Sequence, residues 1–155
     1  MASIQMVDLR TQYERIKSDI DNAIQEVLDT TAFINGTDVK AFSKELADYT
    51  GAKFVITCAN GTDALQIAMM ALDFKSGDEI IVPAFTYVAT VEVMALLGLI
   101  PKFVDVLPDT YEIDPVSLEN ALGPKVVGIV PVHLFGQSSN MEYILEIAKK
   151  HNLKV

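Results

Sequence analysis

Four consecutive residues, Asn60-Gly61-Thr62-Asp63, have the types that hold an anion. They follow a short apolar run, KFVITCA (53–59), and open a helix-forming run, ALQIAMMAL (64–72). A helix starting there leaves backbone N–H groups without partners. Gly61 lets the backbone come close to a ligand, and Asn60 and Thr62 add short polar side chains. A phosphate suits such a turn. A plain helix cap by Asn60 or Thr62, with no ligand, is the other reading of the same residues. The turn is neither a P-loop nor the three-glycine dinucleotide fingerprint.

Two further stretches lie past predicted strand ends, where ligands gather in open α/β sheets. Pro83-Ala84-Phe85-Thr86-Tyr87 offers an aromatic ring that can stack on a planar ligand. On residue type alone, ordinary packing of Phe85 and Tyr87 beneath a helix is the favoured reading, since aromatics are common core residues. HLFGQ (133–137) offers His133, which can stack, donate a hydrogen bond or move a proton. His151 follows two lysines near a helix end and reads as a solvated cap. Cys58, the lone cysteine, sits in an apolar run and reads as packed rather than nucleophilic. Asp105, Asp109 and Asp114 match no calcium loop, and turn chemistry explains them. No cysteine-based zinc site or internal disulfide is possible, and two histidines are too few for a cluster.

The elements that must position these residues follow from hydrophobic spacing. Tyr13 to Leu28 carries apolar residues three and four apart and predicts a helix. TTAFING reads as a loop, and a second helix runs from about Asp38 to Tyr49, stopped by Gly51. Strands are predicted at 53–59, 79–83, 101–106 and 125–133, with helices at 64–72, 86–97, 115–122 and 141–150 between and after them. LKV (153–155) reads as the opening of another strand. Apolar strands alternating with helices predict an α/β fold with a mostly parallel sheet covered on both faces. Two domains are expected: an N-terminal helical segment, 1–50, and the first part of a larger α/β domain, 51–155. A sheet ending three residues into a strand leaves an apolar edge bare, so the chain is expected to be a piece of a longer protein.

Composition narrows the class. The chain has 155 residues, half of them apolar and 21% charged, enough for one buried core and unlike a disordered chain. Twelve Lys plus Arg against 21 Asp plus Glu give a net charge of -9. That argues against nucleic acid as a partner. The start has no secretory pattern and no apolar run is long enough for a membrane span, so a cytoplasmic protein without membrane attachment is expected.

The order of segments resembles the N-terminal part of the pyridoxal-phosphate-dependent sugar aminotransferases of the DegT/DnrJ/EryC1/StrS family. The matching stretches are VDLRTQY (7–13), FINGTDVKAF (33–42), NGTDAL (60–65), GDEIIVPAFTYVAT (77–90), PKFVDVLPDTYEID (101–114) and VGIVPVHLFGQSSNM (127–141). The resemblance implies a three-layer type I aminotransferase large domain, truncated here, with the rest of that domain and a small C-terminal domain absent. It implies pyridoxal 5'-phosphate as cofactor and transfer of an amino group, with glutamate the expected donor, to a nucleotide-linked keto-deoxy-sugar. Gly61 and Thr62 would hold the cofactor phosphate. Asn60 stands where the family usually has Ser, which keeps a side-chain donor but changes its reach. Tyr87 would stack on the pyridine ring, and His133 would line the cofactor side. Asn35 and Gly36 would belong to a loop near the sugar or the partner subunit of a homodimer. The carboxylate that pairs with the pyridine nitrogen and the Schiff-base lysine would both follow Val155. None of the ten lysines takes that role, and this chain alone is expected to be inactive.

Two other readings stand beside it. One is a dehydratase-like relative that uses the same cofactor. The other is a self-contained α/β domain that binds an anion or nucleotide at Asn60 to Thr62 without catalysis.

Overall fold

The pentapeptide EIIVP becomes the central strand of a three-stranded parallel sheet. In the computed structural model, which describes residue 4 and residues 6–155, the elements run α1 (Leu9–Thr30), α2 (Thr37–Thr50), α3 (Gly61–Ala71), β1 (Glu79–Pro83), α4 (Ala89–Leu96), β2 (Ile100–Val104), α5 (Pro115–Ala121), β3 (Val126–Ile129), a 3-10 turn (Leu134–Gly136) and α6 (Met141–His151). They divide into two units, Met1–Thr57 and Cys58–Val155.

In the second unit the strand order is β2-β1-β3 and both pairings are parallel. Successive strand residues point to opposite faces, and β1 uses both. Ile80 and Val82 pack with Met69 of α3 and with Val93 and Met94 of α4. Ile81, between them, packs with Leu118 of α5 and with Ile144 and Ile147 of α6. Helices therefore cover both faces, and the unit has three layers. All three β1 side chains are fully buried, each contributing roughly 1.5–3 kcal/mol of hydrophobic stabilisation. Lys102 on β2 pairs with Glu79 on β1 at 3.2 Å. Gly128 on β3 has no room for a side chain: a Cβ there would lie 2.9 Å from Cζ of Phe74.

Caps set the helix starts. Asp114 accepts from the Val116 N–H at 3.0 Å, with Pro115 at the first helical position of α5. Asn140 accepts from the Tyr143 N–H at 3.2 Å to open α6, whose last turn carries Lys149, Lys150 and His151. In the first unit, Asp8 accepts from the Thr11 N–H at 3.0 Å and caps α1. The Gly36 backbone lies against Ala32: a Cβ would come 2.7 Å from the Ala32 carbonyl oxygen. α2 ends at Gly51 with φ +73.

Three expectations change. Residues 53–58 form no strand, and Phe54 is 76% exposed. A strand exists only with a hydrogen-bonded neighbour, and the segment has none among the described residues. For the same reason Cys58 is exposed, not packed; its thiol donates to the Asn60 carbonyl at 3.3 Å. The strand expected at 125–133 stops at Ile129. Val130 gives the last bond, 2.8 Å to the Ile81 carbonyl, and Pro131 has no N–H to continue. LKV contributes one parallel bridge, Lys154 to Gly128. Among the described residues no helix is long and apolar enough to cross a membrane.

Candidate functional site

A helix that leads into a parallel strand on its own layer runs against the strand direction, so its N-terminus lies at the edge where the strands end. α3 leads into β1 and packs beside α4. Its start, Gly61, thus shares an edge with the loop after β1, which holds Phe85 and Tyr87. The loops after β2 and β3 open at that edge too. β1 continues into α4 on one face, whereas β2 and β3 continue into α5 and α6 on the other. Adjacent strands whose connections leave in opposite directions open a crevice at their ends, the usual ligand position in such sheets.

The α3 turn has a specific supply of donors. Asn60 Oδ1 accepts from the Asp63 N–H at 2.9 Å, and Asn60 Nδ2 donates to Asp63 Oδ2 at 3.2 Å. The Ala64 N–H donates to the Asn60 carbonyl at 3.0 Å. Among the described residues, the N–H groups of Gly61 and Thr62 and the Thr62 hydroxyl make no hydrogen bond within the protein. A Cβ added at Gly61 would meet nothing within 4 Å, and Gly61 is not among the glycines with positive φ. The fold therefore has no steric need for glycine there; the space is open to a ligand. Two backbone donors, a hydroxyl and the positive end of a helix dipole fit a phosphate. Asn60, engaged as the cap, keeps one amide hydrogen free.

Tyr87 is 77% exposed and Phe85 52% exposed, so neither lies beneath a helix. His133 is exposed, and its Nδ1 accepts from the Ser139 N–H at 3.1 Å. That bond selects the tautomer with the proton on Nε2, which is left as an outward donor. Ser139 is itself buried, its hydroxyl donating to the Val132 carbonyl at 2.8 Å. Gly61, Thr62, Tyr87 and His133 thus share one edge of the sheet. Asn35, with φ +49, and Gly36 belong to the first unit, in the turn before α2. Among the described residues there is no group of side chains that could hold a metal ion.

Two aromatics at this edge, Tyr111 and Phe135, lie in stretches the sequence reading marks without giving either ring a role of its own. Tyr111, after β2, lies 5.5 Å from the Phe85 ring and 5.6 Å from the Phe135 ring, centre to centre. Neither Tyr111 nor Phe135 falls on a periodic stripe, so spacing gives no signal for them. The resolved pKa shifts lie away from this edge. Tyr143 is pushed up to about 12 by burial and by its 2.8 Å bond to Glu119. The bond to Lys17 holds Asp21 below the usual carboxylate range.

The three-layer unit, a small parallel sheet with helices on both faces, is part of a type I aminotransferase large domain. Residues 14–155 match the DegT/DnrJ/EryC1/StrS aminotransferase family, and the chain belongs to it. It is 49% identical over 152 residues to the UDP-2-acetamido-2-deoxy-3-oxo-D-glucuronate aminotransferase of Pseudomonas aeruginosa, covering 98% of this chain and 42% of that protein. The structure of S. venezuelae DesV in complex with a ketimine intermediate matches with a TM-score of 0.94 at 33% identity, over 99% of this chain and 41% of that one. The E. coli GDP-4-keto-6-deoxy-D-mannose-3-dehydratase with bound hydrated PLP matches with a TM-score of 0.79 at 32% identity, over 98% of this chain and 38% of that one. The chain spans about two fifths of the length of the relatives it matches.

Proposed function

We propose that this chain is the N-terminal part of a pyridoxal-phosphate-dependent aminotransferase that moves an amino group from an amino acid, glutamate being the expected donor, to a keto sugar carried on a nucleotide. Within it, residues 1–50 are a helical segment and residues 51–155 begin the cofactor domain. The observation that carries this reading is the unsatisfied donor set at Gly61 and Thr62, with open space where a Cβ would stand. When bound, the cofactor supplies an electron sink for the carbon that exchanges its amino group. The chain's own residues hold and orient it. Gly61 and Thr62 donate to the phosphate, with Asn60 shaping the turn and offering its remaining amide hydrogen. Tyr87 lies against the ring and restricts its tilt. His133 donates from Nε2 on the cofactor side. Asn35 and Gly36 serve the sugar or the partner subunit of a homodimer.

The lysine that carries the cofactor and the carboxylate that pairs with its ring nitrogen come from sequence beyond this chain. The 155-residue chain therefore binds part of the phosphate without turning over. The test is an amino-transfer assay on the full-length protein with pyridoxal phosphate, glutamate and keto-sugar nucleotides. Formation of 2-oxoglutarate coupled to an amino sugar supports the proposal. A deoxygenated keto sugar in place of the amino sugar would assign the dehydratase reaction, the reading favoured by the match to the E. coli enzyme. Turnover by residues 1–155 alone would overturn the division of labour.

A further inference from the structure

Residues 131–140, which carry His133 from the end of β3 to the start of α6, have weak backbone support of their own. The Gly136 N–H reaches the His133 carbonyl and the Gln137 N–H the Leu134 carbonyl, both at 3.3 Å. Ser139 closes the loop on itself. Its hydroxyl donates to the Val132 carbonyl at 2.8 Å and its N–H to His133 Nδ1 at 3.1 Å. Among the described residues, one hydrogen bond ties this loop to an element other than α6. The Asn140 N–H donates to Glu112 Oε2 at 2.6 Å, across 28 positions of sequence.

Glu112 offers its carboxylate from a fixed base. Its carbonyl accepts from the Leu107 N–H at 2.9 Å, and the Asp114 N–H donates to the Asp105 carbonyl at 3.0 Å. Between these bonds Ile113 is buried and pairs with Val106 in an antiparallel bridge. The carboxylate stands at the N-terminus of α6, where the helix dipole favours a negative charge and the bond is charge-assisted. Two successive backbone N–H groups are therefore held, Ser139 by the imidazole and Asn140 by the carboxylate. Fixing the second holds the first against Nδ1. A ring nitrogen that accepts carries no proton, so His133 keeps its proton on Nε2 and faces outward as a donor only.

We propose that Glu112 is a positioning residue: through the Asn140 and Ser139 backbone it holds His133 in the one tautomer that can donate to the cofactor. The proposal rests on the cofactor reading given above and adds what sets the donor in place. Glu112 itself touches no cofactor in this account.

The test uses the full-length, cofactor-loaded protein labelled with 15N. Nitrogen–nitrogen coupling across the Ser139 N–H to Nδ1 bond, and the 15N shifts of the His133 ring, report the bond and the tautomer directly. The parent shows the coupling and the Nε2-protonated form alone. Glu112→Ala loses the coupling and populates both tautomers, whereas Glu112→Gln, which keeps an accepting oxygen, restores the parent signals. Asn140→Pro reaches the same bond from the donor side: proline has no N–H and shares the φ of -65 found there. It loses the coupling, while Asn140→Ala, which gives up the same side-chain cap but keeps the N–H, retains it. Titration of the apo proteins with pyridoxal phosphate gives the consequence. His133→Ala weakens binding by roughly 2- to 10-fold. Glu112→Ala weakens it by no more than that, and the double variant binds as His133→Ala does.

An unchanged coupling in folded Glu112→Ala and Asn140→Pro overturns the proposal. So does an equal loss of affinity from Glu112→Ala with His133 present or replaced, which would make Glu112 a support of the fold and not of the imidazole. Affinity unchanged in both His133→Ala and Glu112→Ala overturns it as well. Failure of the aminotransferase reading is separate: the parent protein then takes up no pyridoxal phosphate, whereas the coupling is read whether or not cofactor binds.

Discussion

Gly61→Ala separates what the fold needs from what a phosphate needs. Gly61 opens α3 and is exposed, its φ is not in the left-handed region, and a Cβ would touch nothing within 4 Å. Alanine there restricts the unfolded chain and suits a helix, so the folded state gains up to about 1 kcal/mol. The melting temperature of the full-length protein should hold or rise by a few degrees. The methyl group occupies the space through which a phosphate reaches the N–H groups of Gly61 and Thr62. Losing one charge-assisted hydrogen bond there costs about 1.5–3 kcal/mol, or roughly 10- to 150-fold in cofactor affinity. The assay is titration of the apo protein with pyridoxal phosphate, followed by cofactor absorbance, beside a thermal melt. Affinity within twofold of the parent, with the fold intact, would refute the placement of the phosphate. A large drop in melting temperature would refute the claim that the fold leaves this space free.

The remaining predictions concern the second unit. Gly128→Ala forces a Cβ to 2.9 Å from Phe74 and 3.4 Å from the Lys154 carbonyl; a destabilisation of about 1–3 kcal/mol should be read by urea denaturation. Leu118→Ala empties a fully buried site beneath Ile81 and should cost about 2–5 kcal/mol in the same measurement. Tyr143, pushed up to about 12 by burial and by its bond to Glu119, should stay un-ionised through pH 10 in an ultraviolet titration. Because its folded pKa is raised, its contribution to stability is fully present below pH 10 and is lost between about pH 10 and 12. Glu119→Gln should bring the phenol back down, since the carboxylate that opposes its ionisation is gone.

How much was legible in the sequence depends on where each element finds its partners. β1 falls on the predicted residues, 79–83, because both of its neighbours lie within the chain and Pro83 ends it. α6 follows its apolar spacing and its Asn140 cap to within a residue. Residues 53–58 have the composition of a strand but no neighbour to pair with, and composition cannot report a missing partner. The end of β3 is set by how far β1 extends beside it, so an apolar run through Val132 overstates its length. At the site, the Asn60 to Thr62 turn was readable because a strand-like run, a glycine and a helix run stand in order. Which donors remain free was not, since that depends on the cap Asn60 forms with Asp63. The cluster of Phe85, Tyr111 and Phe135 joins residues far apart in sequence through three turns, a tertiary fact without periodicity.

The central claim is that the start of α3 and the loop carrying Tyr87 are two sides of one phosphate-and-ring cradle. A crystal structure of the full-length protein grown with pyridoxal phosphate tests it most directly. The expected result is a phosphate oxygen within hydrogen-bond distance of the Gly61 N–H and the Thr62 hydroxyl, with the pyridine ring lying on Tyr87. A cofactor phosphate held elsewhere, with the Gly61 and Thr62 donors turned to water, would contradict it.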